Sequence, residues 1–442
     1  MDYPQALQYL DSFINYEKER SFEYPEAFKL DRMRVLAKEF GNPQNAFESV
    51  IIGGSKGKGS TAAFLSSILR MENWKVGLYT SPHLADLRER VQVNGLPVTQ
   101  AFFTDFMQRV KKIMEEHVWK KNPPTYFEVL TALGFSYFKH MKVQVAVLEV
   151  GLGGLYDSTN IAPAKVVGLT PIGLEHTDKL GKTVSKIAVQ KCGIIKGREN
   201  VVSSPQSAEA LAVIESSAAE REAPLFRVGK DIKIFERGFG EDFQKMDIRT
   251  PWGSFYNLEI GLLGCHQMEN AAAAVGLAIA IGDKTRLTVS ESAIRQGLLD
   301  ARWPGRLEKI SDSPKVALDG AHNPDSIKKM LDGLKRHFHF SDLTVLFAVS
   351  SDKDAEAMLA EIGPECRQLI LTEFNNPRAM KLSQLSEKAA GVCKKIQTES
   401  NPRQALLNAQ ALTGPDGLIL ITGSLFLVAE LRVYITEELQ WV

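Results

Sequence analysis

The sequence predicts an α/β protein in two parts: a mostly parallel sheet domain built around a glycine-rich loop, and a smaller C-terminal α/β domain of roughly Rossmann type. Three observations carry this. The apolar run Val50-Ile51-Ile52 breaks into Gly53-Gly54-Ser55-Lys56-Gly57-Lys58-Gly59-Ser60 and resumes as Thr61-Ala62-Ala63-Phe64-Leu65, the pattern of a strand, a tight turn and a helix start. Strand-like and helix-like segments then alternate along most of the chain, which implies a parallel sheet with polar clusters at the carboxyl ends of its strands. Finally, Ala301-Arg302-Trp303-Pro304-Gly305-Arg306 interrupts the pattern with Pro-Gly, and the alternation restarts beyond it. The expected division is a P-loop-type domain with N-terminal helices over 1–300, a linker over 301–306 and the C-terminal domain over 307–442.

Length and composition agree with two domains. A chain of 442 residues exceeds one ordinary core, and 44% hydrophobic content suffices for two. Lys+Arg and Asp+Glu stand at 53 each, and no basic run interleaved with aromatics offers a groove, so nucleic acid is not an expected partner and any anion site must be local. Cys192, Cys265, Cys366 and Cys393 lack C-x-x-C spacing, which argues against structural zinc and fits a reducing compartment. The polar start Met1-Asp2-Tyr3-Pro4-Gln5 carries no signal-peptide core, and the apolar stretches Ala271 to Ile281 and Leu418 to Ala429 are too short to span a bilayer. The expectation is a cytoplasmic monomer without a membrane partner.

In chain order, Tyr3 to Asn15 and Leu30 to Phe40 read as helices, the second stopped by Gly41-Asn42-Pro43. Lys75 to Tyr79 reads as a strand ending in Thr80-Ser81-Pro82-His83, and Thr99 to Glu116 as a helix. Val143 to Val150 is a buried strand leading into Gly151-Leu152-Gly153-Gly154, and Val166 to Thr170 another, ending beside Glu175-His176-Thr177-Asp178. From Asn200 the pattern loosens into a helix, Ala208 to Glu220, and short strands of unassigned topology through Ile260. An alanine-rich helix follows Gly264-Cys265-His266-Gln267. Past the linker come strands at Lys315 to Leu318, Leu343 to Val349, Gln368 to Leu371 and Leu418 to Ile421, with helices between them and a last helix from Ser424.

Glycines in the loop let backbone N–H groups turn inward, the helix start adds partial positive charge, and Lys58 can reach outer phosphates. The plain alternative is a structural turn. Glu149 at a strand end near Lys58 suits a hard cation such as Mg²⁺, with Ser81 as a second oxygen and His176 for a second ion. Taken singly, Glu149 reads as well as a capping or salt-bridged carboxylate and His176 as a loop histidine; their shared place at strand ends favours the site. Lys191, on a mostly apolar helix, reads from its own surroundings as a surface lysine.

The succession Gly54-Ser55-Lys56-Gly57-Lys58-Gly59-Ser60, Tyr79-Thr80-Ser81-Pro82-His83-Leu84, Thr125-Tyr126-Phe127-Glu128, Glu149-Val150-Gly151-Leu152-Gly153-Gly154 and Asp157-Ser158-Thr159-Asn160 resembles the folylpolyglutamate synthase and dihydrofolate synthase family, of Mur-ligase type. So do Glu175-His176-Thr177-Asp178, His266-Gln267 with Asn270, Trp303-Pro304-Gly305-Arg306, Asp319-Gly320-Ala321-His322-Asn323-Pro324, Pro377-Arg378-Ala379 and Thr422-Gly423-Ser424-Leu425, in the family's order over nearly the whole chain. The resemblance implies an ATP-dependent amide ligase: a folate or dihydropteroate carboxylate is phosphorylated by ATP, and the amine of L-glutamate displaces phosphate from the acyl phosphate. It implies that Gly57, Lys58, Gly59 and Ser60 bind the ATP phosphates, with Asn270 against the base, Arg306 on phosphate, Asp319 on the ribose and His322 nearby. Two Mg²⁺ ions are implied, one on Ser81 and Glu149, the other on His176 and on Lys191 if carbamylated; Lys58, His176 and Lys191 form the catalytic set. The pteroate pocket falls to Thr125, Tyr126, Phe127, Glu128, Tyr156, Asp157 and Ser158, although core packing accounts equally for Phe127.

The chain departs from the family pattern at Ser55-Lys56, usually Thr-Asn, at Leu155, usually arginine, at Glu175, usually Asp, and at Gln190 and Cys192 around Lys191. Lys56 adds a charge beside the phosphates, and Leu155 removes one from the acidic-substrate side. A nucleotide-binding relative without ligase activity therefore stands as the alternative, followed by a Mur-type ligase for a cell-wall precursor.

Overall fold

A computed structural model describes residues 1–17, 30–116, 119–120, 122–285 and 287–441. The first sheet contains β1 (Glu48–Gly53), β2 (Val76–Tyr79), β3 (Val91–Val93), β4 (Leu96–Pro97), β5 (Val145–Glu149), β6 (Ala164–Leu169), β7 (Asn200–Ser203) and β8 (Leu225–Arg227). Their spatial order is β4-β3-β2-β5-β1-β6-β7-β8. All pairings from β2 to β8 are parallel, and only β3 and β4 at one edge run antiparallel. The central strand β1 is covered on both faces, which explains its uninterrupted run of Val50, Ile51 and Ile52, all fully buried.

The order changes direction at β1: the chain first builds outward on the β5 side and then on the β6 side. Ligand crevices of open α/β sheets form at such a point, at the carboxyl ends of the strands. The glycine-rich loop leaves β1 there and enters the helix Lys58–Met71. That helix is buried nearly all round, between the sheet and the helices Cys265–Thr285 and Glu291–Leu299, so its sequence shows no polar face.

The strands left unassigned by the sequence form a separate antiparallel sheet, β11-β10-β9, from β9 (Lys233–Phe239), β10 (Gln244–Thr250) and β11 (Gly253–Ile260). The third sheet is β12-β13-β17-β14-β15-β16, from β12 (Glu308–Asp312), β13 (Lys315–Leu318), β14 (Leu343–Phe347), β15 (Gln368–Leu371), β16 (Ile396–Thr398) and β17 (Leu418–Thr422). It is parallel except for β12. Two differences from expectation have local causes. The first helix stops at Asp11 rather than continuing to Asn15, and the short edge strands β12 and β16 carry too few apolar residues to stand out by periodicity.

The helix behind the loop is fixed by close packing. A Cβ added at Gly297 would lie 2.4 Å from Ile68 Cα and 2.6 Å from Ile68 N, so the helices Glu291–Leu299 and Lys58–Met71 touch through backbone. Gly297→Ala forces them apart and is expected to cost about 1–3 kcal/mol, the usual range for overpacking. A lowered urea midpoint with unchanged slope is the expected measurement; an unchanged midpoint means the helices have room to yield.

Candidate functional site

The loop is shaped first by backbone. Gly54 has φ +141°, and a Cβ there would fall 1.9 Å from Thr170 Oγ1; Gly57 has φ +86°, and a Cβ there would fall 2.5 Å from Asn270 Oδ1. The N–H groups of Ser55 and Lys56 both donate to Pro171 O, at 2.9 and 3.3 Å, while Ser55 Oγ donates to Gly173 O at 3.1 Å. The first helical bond is Thr61 N–H to Gly57 O, and Gly57 offers no side-chain cap. The amides of Lys58, Gly59 and Ser60 therefore have no acceptor in the helix, which makes this end of a 14-residue helix receptive to an anion.

Two lysines meet above the loop. Lys58 Nζ folds back to donate to Gly54 O at 3.1 Å, and Lys191 Nζ donates to the same oxygen at 2.7 Å. Lys191 is 2% exposed and pairs with Glu175 Oε1 at 2.7 Å, so it is not the surface lysine that its own helix suggests. Burial, helped by the charge of Lys58 and opposed by Glu175, brings its ammonium down to about 8. Burial alone would raise the Glu175 carboxyl, but Lys58 and Lys191 outweigh it and hold the group below its ordinary range. His176 begins the short helix Thr177–Leu180 with φ +47°; burial keeps its imidazole below the usual value, against the pull of Glu175.

Glu149 ends β5 beside the loop and is 5% exposed. Its Oε2 accepts the Ser81 N–H at 3.3 Å. Burial lifts its carboxyl from 4.5 to about 7 even though Lys58, the Ser81 amide and Arg306 all pull it down. An under-compensated buried carboxylate of this kind has oxygen chemistry suited to a hard divalent cation. Among the described residues no group of three or more His, Cys, Asp and Glu side chains is assembled to hold an ion unaided.

The far wall comes from beyond β8. Asn270 Nδ2 donates to Gln267 Oε1 at 2.9 Å, Gln267 Nε2 to Ser60 Oγ at 3.4 Å, and Thr61 Oγ1 to Asn270 Oδ1 at 3.4 Å, tying Asn270 to the helix start. Across the linker, the carboxylate of Asp319 accepts the Leu307 and Ala321 amides, both at 2.8 Å, and Gly320 N–H donates to Gly305 O at 2.9 Å. Burial raises the Asp319 carboxyl despite the nearby Arg306, whose charge also bears on Glu149 and His322. His322 Nδ1 bonds Gly320 O at 2.9 Å. Hydrogen bonds tie Lys58 and Lys191 to Gly54, Ser81 to Glu149, and Asn270 through Gln267 to Ser60, and electrostatic interaction links Lys58 with Glu149 and His176, and Arg306 with Glu149 and Asp319.

The residues expected at the pteroate pocket fare differently. Thr125 caps the helix Tyr126–His140 in a reciprocal box with Glu128, whose Oε2 also accepts from Arg32 Nε at 2.7 Å. Asp157 is fully buried, and its carboxylate accepts from the amides of Gly151, Leu152 and Thr159 and from Thr159 Oγ1. Ser158 is buried at the start of the following turn, and Tyr156 is half-buried against the core. Tyr126 and Phe127 are both buried: the Phe127 ring borders the loop after β5, where a Cβ on Gly151 would come within 2.6 Å of it, and Arg90 sits 5.9 Å over the Tyr126 ring.

Sequence reasoning missed two neighbours. Arg90 is 2% exposed, grips Glu17 through both terminal nitrogens at 2.7 and 2.8 Å and donates from Nε to His83 Nδ1 at 2.9 Å; within Leu87-Arg88-Glu89-Arg90 it reads only as part of a solvated charge run. Trp303 lies over Gly59, where a Cβ would come 2.7 Å from its ring, and its place in the linker motif was the one available signal.

The raised Glu149 carboxyl makes stability depend on pH. Its folded value lies above the ordinary one, so its contribution is intact below about 4.5 and is lost as pH rises through about 7. Glu149→Gln is therefore expected to stabilise the metal-free protein at pH 8 by about 3 kcal/mol more than at pH 4.5, read by denaturant titration at both. Equal effects at both pH values would contradict the assignment.

Comparison with known proteins follows the same geometry. The Mur ligase middle domain matches residues 52–278, and the Mur ligase glutamate ligase domain matches residues 305–425. The chain is 32% identical over 405 residues to a dihydrofolate synthase/folylpolyglutamate synthase of Bacillus subtilis, covering 91% of this chain and 94% of that one. It is 33% identical over 438 residues to a folylpolyglutamate synthase of Lacticaseibacillus casei, covering 98% of each. Mycobacterium tuberculosis folylpolyglutamate synthase complexed with ADP superposes with a TM-score of 0.88 at 28% identity, covering 99% of this chain and 98% of that one. With matches across both sheet domains and nearly full length, the chain belongs to the folylpolyglutamate synthase/dihydrofolate synthase family of Mur ligases.

Proposed function

We propose that this protein is an ATP-dependent ligase that joins L-glutamate to the carboxylate of dihydropteroate or of a folate. The observation that carries the reading is the loop at β1, where unsatisfied helix amides lie beside two ammonium groups that both donate to the Gly54 carbonyl, with a buried carboxylate under the pull of Lys58. Such a place holds polyphosphate and accommodates charge that builds up in phosphoryl transfer. The acceptor carboxylate attacks the γ-phosphorus and ADP leaves. The glutamate amine then attacks the acyl carbon, phosphate departs, and the nitrogen loses a proton to give the amide. Two anions must meet in the first step, so this chain's cations serve to neutralise and align them.

In this reading the amides of Gly57 to Ser60 and the Lys58 ammonium hold the phosphates, Asn270 meets the base, and Arg306 and Asp319 meet phosphate and ribose from across the linker. Ser81 and Glu149 would hold one Mg²⁺, with phosphate and water oxygens completing its shell, as this ion prefers. The ion supplies charge neutralisation on the phosphates. His176, kept neutral, offers a nitrogen to a second ion. Lys191 as an amine is a donor, already spent on Gly54 and Glu175, and becomes a ligand only as a carbamate. Thr125, Glu128, Asp157 and Ser158 shape the acceptor pocket by fixing the helix start and the Gly151-Leu152 turn, with the buried rings of Tyr126 and Phe127 backing it and the half-buried Tyr156 at its edge. A monomer working in the cytoplasm is part of the reading, and the four free thiols suit it; the domain limits 1–300, 301–306 and 307–442 are likewise proposed.

The deciding experiment incubates the protein with ATP, Mg²⁺ and glutamate and either dihydropteroate or a reduced folate, following phosphate release and product. Release with neither acceptor would sink the reading in favour of an inactive relative, and activity with a UDP-linked sugar peptide alone would move the protein to cell-wall chemistry. Lys58→Ala is expected to lose about 2.7–4 kcal/mol of barrier lowering with the fold intact; near-wild-type turnover means the loop is structural. Lys191→Ala should lose activity that added acetate partly restores, and an unaffected variant removes the carbamate from the scheme.

A further inference from the structure

Lys56 is the loop's departure from its family's pattern, and the structure gives it a partner in the other domain. Its ammonium is paired with a carboxylate oxygen of Asp325, in the first turn of the helix Pro324–His337. Asp325 has a second cation, Lys329 Nζ at 3.6 Å one turn further along, and the helix N-terminus also favours its charge. The Asp325 carboxyl lies below its ordinary range, chiefly through the bond from Lys56. Both members of the pair are about half exposed, with side chains 51% and 57% accessible, so the pair is readily exchanged.

The surroundings are rich in positive charge. His266 and His322 are both held below their ordinary values, mainly by burial, and both also by Arg306 and Lys56; Lys329 adds to the first and Lys353 to the second. Lys56, Arg306, Lys329 and Lys353 thus all bear on this side of the loop, where the acidic groups include Asp325, Asp319, Glu269 and Asp352, the last paired with Lys353 at 3.0 Å; an incoming polyanion competes with these carboxylates for the cations.

We propose that Lys56 is a second cationic arm of the phosphate loop, for which Asp325 and the phosphates of a bound nucleotide compete. Asp325 keeps Lys329 and the helix N-terminus when Lys56 leaves, which makes the exchange inexpensive. The inference rests on the nucleotide reading of the loop. It assigns Asp325 a role that a static clasp between domains does not have: it competes with the ligand for Lys56.

That competition fixes opposite signs for the two partners. Binding of ADP and of a non-hydrolysable ATP analogue to the full chain, with Mg²⁺, is measured by titration calorimetry. Lys56→Gln should weaken binding roughly tenfold, as expected for loss of a charge-assisted contact. Asp325→Asn should tighten it by about two- to fivefold, the worth of an exposed ion pair released from competition. In a Lys56→Gln background, Asp325→Asn should then do nothing, and in turnover the KM for ATP should follow the same order. Weakening by both variants would mean a static clasp and overturn the exchange, as would unchanged binding in Lys56→Gln. If the wild-type chain binds neither nucleotide, the reading of the loop itself fails and the exchange falls with it; binding by the wild type without opposed signs overturns the exchange alone.

Discussion

One carbonyl oxygen organises the cleft. Gly54 O accepts from Lys58 and from Lys191, so the side chain of the loop's own helix and that of a helix more than a hundred residues later are referred to a single point. That point exists because Gly54 can take a backbone conformation that would drive any Cβ into Thr170. Two ammonium groups so close would repel each other strongly without a carboxylate nearby. Glu175 supplies it, and the lowered proton affinity of Lys191 together with the raised acidity of Glu175 records the balance.

The same economy runs through the neighbouring acidic residues, which divide by how fully their oxygens are used. Asp157 and Asp319 accept backbone amides on both oxygens and act on the site by holding turns in place. Glu149 has the Ser81 amide at a long 3.3 Å and the fewest donors of the three; burial lifts its carboxyl, as it does those of Asp157 and Asp319. Position in a motif does not separate these cases. The donors around each oxygen do.

The parallel sheets and the loop at β1 were legible because each writes itself locally: a buried run of β-branched residues and glycines before a helix. The antiparallel sheet β9 to β11 was not, since its outer strands are largely exposed and alternate weakly, and its fully buried residues, Met246, Ile248, Leu258 and Ile260, are divided between two strands. Around the loop, the nearness of Glu149 to Lys58 was legible from its place at a strand end. The burial of Lys191 was not, because what surrounds it comes from the loop at Gly54 and from Glu175, neither on its own helix. Arg90 was hidden for the same reason: its partner Glu17 lies far back in the chain.

The tryptophan over Gly59 has a consequence for how the loop can move. Trp303 lies between the helix Glu291–Leu299 and β12, yet its ring occupies the volume a side chain would take at Gly59, the last residue of the loop's lysine-glycine run. That stretch is therefore seated on the loop. A change in the posture of the first helical turn must either carry the ring along or break its contact with the glycine.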